Sequence, residues 1–420
     1  MENKIYYGEY SLRHWIDLML KKDIVLPEYQ RSFVWDEKAV KRFIKSLKDK
    51  QFIPPVTIAH YKIQDDGNET NLILDGQQRL TSLLLADIGV YPNKNKFNNS
   101  EPIIASDDDS ENDDSGTDTE KKKSIEWTFE KLLKNENNTI SDLKENTNSD
   151  ERYIHIKGLE VDEEFFDKTF LGFSYIVPTS EDKNEVQRSF SKTFREINYF
   201  GKSLSAQESR RSLYFMNDEY KDFLDGKTDQ KDVLCSLTIN ENMLSKKIDF
   251  IRYLSILSQL KVQGSAWNVL KYYSSYASRE MFYADYVSFI VGLEQENHIE
   301  KFNGCEMINL FPNNCWKERF KKLYEIILTL TEKIQHDGKK SKVNFDSWID
   351  ADYYLFGLIY YVLFEDKKIN LTDELFEKIR IVISEKRGDK NLAYSRSPNR
   401  LGNLRERLNE SINIYSKYVE

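Results

Sequence analysis

The hydrophobic pattern changes near residue 240, and this change constrains the fold more than any other feature. From about that point onward, almost every stretch repeats its apolar residues with the 3.6-residue period of helices packed on one another. The first 90 residues instead mix two helical patterns with two short runs, Val56–Tyr61 and Asn71–Leu74, that are typical of a β-hairpin. The pattern predicts an α+β N-terminal region followed by an all-helical C-terminal domain.

A long polar segment interrupts the N-terminal region. Residues 92–124 are poor in apolar residues and rich in Asn, Asp and Ser, which indicates a flexible insertion. A strand pattern returns at Gly172–Val177, and helical patterns follow it. We therefore predict a first domain over 1–215 that carries this insertion, and a helical domain over 216–420.

Part of this insertion, residues 101–120, accounts for the whole net charge of the chain. That charge is −9, and residues 101–120 contain nine acidic residues and no basic residue. The remainder has equal numbers of acidic and basic residues. Overall charge therefore neither attracts nucleic acid nor excludes it.

The cysteines and the apolar runs exclude several classes of protein. Three widely spaced cysteines exclude a disulfide scaffold and a cysteine-built zinc site, and they fit a reducing compartment. The first ten residues lack the apolar core of a signal peptide, and the longest apolar run, Tyr353–Phe364, is too short to span a bilayer. We expect a cytoplasmic protein with no membrane partner.

The most informative motif is a polar run between a predicted strand and a predicted helix. Its members are Asp75, Gly76, Gln77, Gln78 and Arg79. Gly76 permits a tight turn, and the amides at a helix start favour an anion. Arg79 adds a cation, and Asp75 can hold Mg²⁺, which proteins bind through one or two carboxylates together with phosphate oxygens. The glutamines can orient a water or a nucleotide edge. A plain strand-end turn with Asp75 as the helix N-cap is the alternative.

An aromatic, extended segment precedes this motif. Tyr29–Trp35 carries Gln30 and Arg31 just after a proline-restricted stretch. Arg31 can present its planar guanidinium to a phosphate or a carboxylate. It can equally pack its stem on Trp35 and leave the charge in solvent.

A third element follows at Phe194–Glu208. Asn198 stands one helical turn after Phe194, and Ser205 with Glu208 forms a capping box that opens a new helix. Ordinary capping explains most of this element, but it does not explain Asn198.

The three elements, in this order and spacing, resemble the GmrS-type N-terminal domain of modification-dependent restriction and phage-defence systems, in the ParB/sulfiredoxin-like superfamily. The resemblance covers roughly residues 8–215. It implies a small mixed sheet of the ParB/sulfiredoxin-like type that binds and hydrolyses a nucleoside triphosphate with Mg²⁺.

The resemblance also implies roles for individual residues. The nucleotide-binding residues would be Gln30, Arg31, Gly76, Arg79, Phe194 and Asn198. The catalytic residues would be Asp75, Gln77, Gln78 and Arg79, with Asp75 also holding the metal.

The resemblance suggests partners as well. Fused relatives carry a histidine-containing HNH nuclease, whereas the five histidines of this chain are isolated. We therefore expect a nucleotide-dependent sensor or regulatory subunit that acts on DNA with a separate nuclease subunit. Two alternatives remain open: a ParB-like DNA-binding module in which the nucleotide is a switch that is not hydrolysed, and a DNA nuclease with a carboxylate-only metal site.

A basic stretch near the C-terminus is the candidate DNA contact. Seven Lys and Arg residues lie between Lys386 and Arg407. We name Arg396, Arg400 and Arg405 as candidates for phosphate contacts. The alternative is a salt-bridged helix end, for which nearby glutamates supply partners.

Overall fold

The protein was analysed as a computed structural model, which describes residues 3–27, 32–62, 69–93, 96–97, 104, 127–133, 138–159, 161–180, 182, 185–187, 189–190, 192–193, 197, 206–215, 217–241, 244–271, 279–293, 299–334, 343–388 and 400–420. The chain forms two compact units. Unit 1 comprises Met1–Glu101 and Thr117–Ser212, and unit 2 comprises Pro102–Gly116 and Leu213–Glu420.

Unit 1 is built on a five-stranded mixed sheet with the order β1-β7-β3-β4-β2. The described strands of unit 1 are β1 (Lys4–Ser11), β2 (Ile24–Val25), β3 (Val56–Lys62), β4 (Glu69–Asp75), β5 (Val90–Pro92), β6 (Tyr153–His155) and β7 (Phe170–Val177). Strands β5 and β6 form a separate two-stranded sheet. β7 pairs in parallel with β3 and antiparallel with β1, and β3 pairs antiparallel with β4.

Helices cover one face of this sheet. They are α1 (Leu12–Leu20), α2 (Glu37–Lys48), α3 (Gln77–Ile88), α4 (Ile140–Asn148) and α5 (Glu163–Lys168). A further helix of unit 1 is α6 (Ala206–Arg211). The first two begin at side-chain caps, because Ser11 accepts from the amide of His14 and Asp36 from the amide of Ala39. Their apolar sides join Val56 and Ile58 of the sheet in one core.

The opposite face of the sheet carries the alternate residues of each strand. Ala59, Leu72 and Ile176 are buried there, outside the main core cluster. One row further along, Thr57 and Ser174 are only half-buried. This face therefore has an apolar, covered row next to a polar, more accessible one.

The predicted α+β class is confirmed, and so is the β-hairpin, which forms β3 and β4. Sequence periodicity did not indicate β1, because its residues are exposed or half-buried and give no alternation of apolar and polar types. The ParB/sulfiredoxin-like arrangement of the sheet stays a prediction.

Unit 2 is mainly helical. Its helices are α7 (Lys221–Leu224), α8 (Phe250–Gln263), α9 (Arg279–Ile290), α10 (Ile299–Phe302), α11 (Met307–Leu310), α12 (Trp316–Ile334), α13 (Trp348–Ile359), α14 (Asp373–Gly388) and α15 (Leu401–Tyr415). A π-helical turn, Tyr360–Phe364, continues α13, so the apolar run Tyr353–Phe364 is the buried helical segment that its composition predicted. Among the described helices, none combines the length and the apolar character needed to cross a membrane.

The prediction of an all-helical C-terminal domain is wrong. Within its described residues, unit 2 contains five short strands: β8 (Lys227–Thr228), β9 (Lys231–Asp232), β10 (Leu237–Glu241), β11 (Leu244–Lys247) and β12 (Val343–Phe345). β8 pairs with β9, and β10 lies between β11 and β12. Two- to five-residue strands are too short to give a periodicity, and the parallel pairing of β10 with β12 joins segments about a hundred residues apart.

A buried ion cluster joins three helices of unit 2. The carboxylate of Asp352, on α13, binds Arg252 of α8 at 2.6 Å and Arg407 of α15 at 2.8 Å, and all three side chains are fully buried. Tyr253 donates its hydroxyl to the same carboxylate at 2.9 Å. The guanidinium of Arg252 also lies 4.2 Å from the ring centroid of Trp348. Removal of one member would leave charge buried without its partner, which is strongly destabilising.

Helices α13 and α15 pack closely at Gly357. A Cβ on Gly357 would lie 2.7 Å from the carbonyl oxygen of Ser411 and would overlap the ring of Tyr415. The amide of Gly357 donates to the Ser411 hydroxyl at 2.9 Å, and that hydroxyl donates to the carbonyl of Tyr353 at 3.0 Å. Glycine is therefore required by space at this position.

We expect Gly357→Ala to lower the free energy of unfolding by about 3 kcal/mol, because the added methyl group meets backbone rather than a movable side chain. Urea unfolding measures the change. The matched control is Gly402→Ala on α15, where a Cβ meets nothing within 4 Å. This control should raise the stability by about 0.5 kcal/mol through helix propensity. Equal effects of the two changes would contradict the packing argument.

Candidate functional site

The turn between β4 and α3 requires glycine. Gly76 has φ 97° and ψ 5° and is the N-cap of α3. A Cβ at this position would lie 2.9 Å from Cγ2 of Val56, so both the left-handed backbone and the lack of space exclude a side chain. The alternative with Asp75 as the N-cap is not what forms. Asp75 instead ends β4, one helical turn before Arg79.

Asp75 and Arg79 form an ion pair across this turn. Nη2 of Arg79 donates to Oδ2 of Asp75, and Nη1 donates to the carbonyl of Pro54. The Arg79 side chain is 11% exposed and that of Asp75 is 43% exposed. The Arg79 guanidinium is therefore largely buried and fixed by these two hydrogen bonds, while the Asp75 carboxylate is accessible to solvent. An anchored cation next to an accessible carboxylate can bind a phosphate group and a metal or a water.

The side-chain amide of Gln78 is hydrogen-bonded to the backbone of residues 32–35, the second half of the aromatic element. Its Oε1 accepts from the amides of Val34 at 2.9 Å and Trp35 at 3.2 Å, and its Nε2 donates to the carbonyl of Ser32 at 3.2 Å. These bonds make Gln78 a positioning residue for segment 32–35. The prediction that it also orients a water or a nucleotide edge is untested and stays a prediction, as does that role for the buried Gln77.

Residues shortly before and after 28–31 form hydrogen bonds with the segment 127–133. Upstream, the amide of Leu26 donates to Oε1 of Glu130 at 3.0 Å; burial raises the pKa of this carboxyl group. Downstream, the amide of Phe33 donates to the carbonyl of Trp127 at 2.7 Å. These anchors could not be predicted from sequence, because they join residues about a hundred positions apart.

Tyr91 provides a further anchor. Its hydroxyl donates to the carbonyl of Trp35 at 2.6 Å. Burial, together with the charges of Asp36 and Glu37, raises the pKa of Tyr91, so the phenol stays protonated as a donor. The backbone of segment 32–35 is thus bonded to α3, to β5 and to Trp127.

Four predicted site residues lie outside the residues that the structure describes. They are Gln30, Arg31, Phe194 and Asn198. Of the elements that carry them, the structure describes residues 32–35 of the first, and residues 197 and 206–208 of the third. Ser189 accepts a hydrogen bond from Asn3, and Phe190 is buried.

A pair of hydroxyl groups lies next to Asp75 on the sheet and was not predicted. Thr57 is the cross-strand partner of Asp75, and its Oγ1 lies 2.9 Å from the hydroxyl of Ser174 on β7. Thr57 and Ser174 stand in strand patterns that are otherwise mainly apolar. That contrast is the sequence signal that could have marked them.

The described part of the C-terminal basic stretch is largely salt-bridged. Lys386 binds Glu406 and also Glu410, the latter at 3.3 Å. Arg387 binds Asp346 at 2.9 Å and also Asp350. These pairs match the alternative of a salt-bridged helix end.

The candidate DNA-contact residues differ in their surroundings. Arg405 donates from Nε and Nη2 to the carbonyl of Val269 at 2.9 and 2.7 Å, and partial burial lowers its pKa. Arg400 is exposed at the start of α15. Arg396 lies outside the described residues. Their role in binding DNA stays a prediction.

The comparison with known families agrees with this geometry. Residues 14–215 match the model of the GmrSD restriction endonuclease, N-terminal domain. Over these residues the chain is similar to that domain. The predicted resemblance to the GmrS-type N-terminal domain is thereby confirmed over residues 14–215.

Other comparisons add little to the family match. An uncharacterized protein of Methanocaldococcus jannaschii is 31% identical over 99 residues, which cover 18% of this chain and 17% of that protein. The chain thus aligns with about a sixth of the length of this relative. No solved structure matches the chain significantly.

We expect Gln78→Leu to lower the free energy of unfolding by about 3 kcal/mol, because two amides and one carbonyl of segment 32–35 lose their partner. Chemical unfolding measures this effect. The control is Gln51→Leu, the same change at an exposed position, which should alter stability by less than about 0.5 kcal/mol. A loss no larger than that of the control would show that the segment is held without Gln78.

The Asp350 carboxyl group should make stability depend on pH. Burial raises its pKa to about 6, and Arg387 only partly opposes this. The folded state therefore binds a proton more readily than the unfolded chain, and the free energy of unfolding falls as pH rises from about 4 to 6. Asp350→Asn removes this dependence. Relative to wild type, the variant should gain about 3 kcal/mol between about pH 4 and pH 7.5.

Urea unfolding of both proteins at the two pH values measures this gain. Asp346→Asn is the matched control, since the Asp346 side chain is 67% exposed and also contacts Arg387. A gain as large in the control would show that the pH dependence does not come from the burial of Asp350.

Proposed function

We propose that this GmrSD N-terminal domain binds a nucleoside triphosphate at the turn between β4 and α3 and hydrolyses it. In this proposal the whole chain serves as the nucleotide-dependent sensor or regulatory subunit of a restriction or phage-defence system. The observation that carries it is the Asp75–Arg79 pair, whose cation is fixed by the Pro54 carbonyl and whose carboxylate faces solvent.

The helix start adds to the attraction for phosphate. Gly76 gives no side-chain hydrogen bond to the first amides of α3, and the amino-terminal end of a twelve-residue helix carries partial positive charge. Arg79 lies in the first turn of the same helix, so both sources of positive potential favour one anion. Phosphate oxygens fit this site better than a neutral ligand does.

The residues present also fit Mg²⁺. Within the described residues, no three His, Cys, Asp or Glu side chains come together as a metal site. Mg²⁺ does not need such a group, since it commonly keeps several waters and binds one carboxylate plus phosphate oxygens. Asp75 supplies the carboxylate. Bound Mg²⁺ would neutralise charge on the phosphates.

Hydrolysis then requires little of the protein beyond positioning. The oxygen of a water bonds to the terminal phosphorus as the bridging P–O bond breaks, which yields a nucleoside diphosphate and phosphate. The carboxylate of Asp75 can accept the proton of that water, and Arg79 stabilises charge on the phosphoryl oxygens. Gln77 and the residues of the other two elements, Gln30 to Arg31 and Phe194 to Asn198, would complete the site.

Regulation would follow from the bonds of Gln78. Gln78 is the second residue of α3, just after the nucleotide turn, and it binds the segment that comes after Arg31. A shift of the first turn of α3 on nucleotide binding would therefore move the aromatic element as well. DNA and a separate nuclease subunit are the partners that we propose for this response.

We expect Asp75→Asn to lower nucleotide turnover at least about a hundredfold, because it removes the charge that accepts the proton and keeps the shape of the side chain. Arg79→Ala should abolish turnover through loss of the phosphate contact. Phosphate release from ATP, GTP, CTP and UTP with Mg²⁺, measured with and without duplex DNA, checks both effects.

The control uses the other end of α3. Asp87 pairs with Arg13 at 2.5 Å, so Asp87→Asn removes an ion pair of the same helix away from the turn. This variant should keep wild-type turnover per folded molecule, with folding followed by thermal melting. Undiminished turnover in Asp75→Asn, or no turnover of any of the four nucleotides by the wild type, would overturn the proposal.

A further inference from the structure

Four strands of the unit 1 sheet place four residues in one row. Asp75 on β4 pairs with Thr57 on β3, Thr57 with Ser174 on β7, and Ser174 with Tyr7 on β1. Thr57, Ser174 and Tyr7 are paired in regular register and therefore point to the same face of the sheet. A register shift between Thr57 and Ile58 brings Asp75, the last residue of β4, to the end of this row. The row therefore runs from the proposed phosphate site to the edge strand of the sheet.

The middle of the row can bind a polar ligand. The hydroxyls of Thr57 and Ser174 share one hydrogen bond of 2.9 Å. Two hydroxyl groups have two hydrogens and four lone pairs, so this bond leaves one donor and several acceptor positions. Both residues are half-buried, and the neighbouring row with Ala59 and Ile176 is buried and apolar. The polar row is thus the accessible strip of this face.

The far end of the row is an exposed aromatic ring. Tyr7 is 76% exposed, whereas its neighbour Tyr6 points to the other face and contacts the ring of Tyr175. An exposed tyrosine ring on a strand is a platform on which a base can stack. Strands lie about 4.8 Å apart, so three intervals separate Asp75 from Tyr7 by about 14 Å. An extended nucleoside triphosphate spans this distance between its terminal phosphate and its base.

We propose that the nucleotide lies across this row, with its base stacked on Tyr7, its sugar and inner phosphates against Thr57 and Ser174, and its terminal phosphate at Asp75 and Arg79. This inference rests on the proposed function and adds the residues that bind the part of the nucleotide beyond the phosphates. Stacking does not distinguish strongly between bases, so the ligand class is nucleoside triphosphates in general.

The test compares two kinds of probe, the four nucleoside triphosphates and inorganic triphosphate, each with Mg²⁺ and titrated calorimetrically against the full chain. Inorganic triphosphate has neither base nor sugar. Tyr7→Ala should weaken nucleotide binding about tenfold or more and leave triphosphate binding unchanged, and Tyr7→Phe should retain wild-type affinity. Thr57→Val should weaken nucleotide binding about fivefold through loss of a hydroxyl.

The matched control is Tyr6→Ala, which removes the same side chain from the opposite face of the same strand and should leave nucleotide affinity unchanged. Equal affinities of Tyr7→Ala and Tyr6→Ala for nucleotides would overturn the inference while the proposed function stands. Equal weakening of nucleotide and triphosphate by Tyr7→Ala would overturn it as well. If the wild type binds no nucleotide, the proposed function and this inference both fail.

Discussion

The left-handed turn at Gly76 is the constraint on which the candidate site depends. Because this residue packs against Val56 without a side chain, β4 passes into α3 with no intervening loop. The last residue of the strand and the first turn of the helix are then held at fixed separation. The pairing of Asp75 with Arg79, the contact of Arg79 with Pro54 and the hydrogen bonds of Gln78 all follow from that direct connection. A longer loop would separate them.

The bonds of Gln78 show how one motif can control another. Three backbone groups of segment 32–35 depend on a single amide that belongs to the nucleotide turn. Trp127 and Glu130, which follow the acidic insertion in sequence, fix the same region from the other side. Segments far apart along the chain therefore share one small hydrogen-bonded network. Such a network is suited to carry a change at the nucleotide turn to the aromatic element.

Local sequence predicted the parts of this structure that local chemistry determines. The turn at Gly76, the hairpin of β3 and β4 and the helices with a 3.6-residue period were evident from neighbouring residues alone. The position of the motif between strand and helix followed in the same way, although the alternative that made Asp75 the helix N-cap was wrong. Three features could not be predicted, because each depends on a partner that only the folded chain brings near. They are the pairing of β10 with β12, the hydrogen bond between Thr57 and Ser174, and the anchors at Trp127 and Glu130. The basic stretch near the C-terminus shows the same limit, since counting charges cannot reveal that Lys386 and Arg387 already have acidic partners.

The shared carboxylate of Asp352 has a mechanical consequence for unit 2. Helices α8, α13 and α15 each contribute one charged side chain to a place that water does not reach. If one of these helices slid relative to the others, a buried charge would lose its partner in apolar surroundings. The free energy cost would rise steeply with the first ångström of displacement. The three helices must therefore shift together or not at all. Any signal that reaches this unit would be passed on as the motion of a rigid block, and flexibility has to be sought in the segments that connect the block to the rest of the chain.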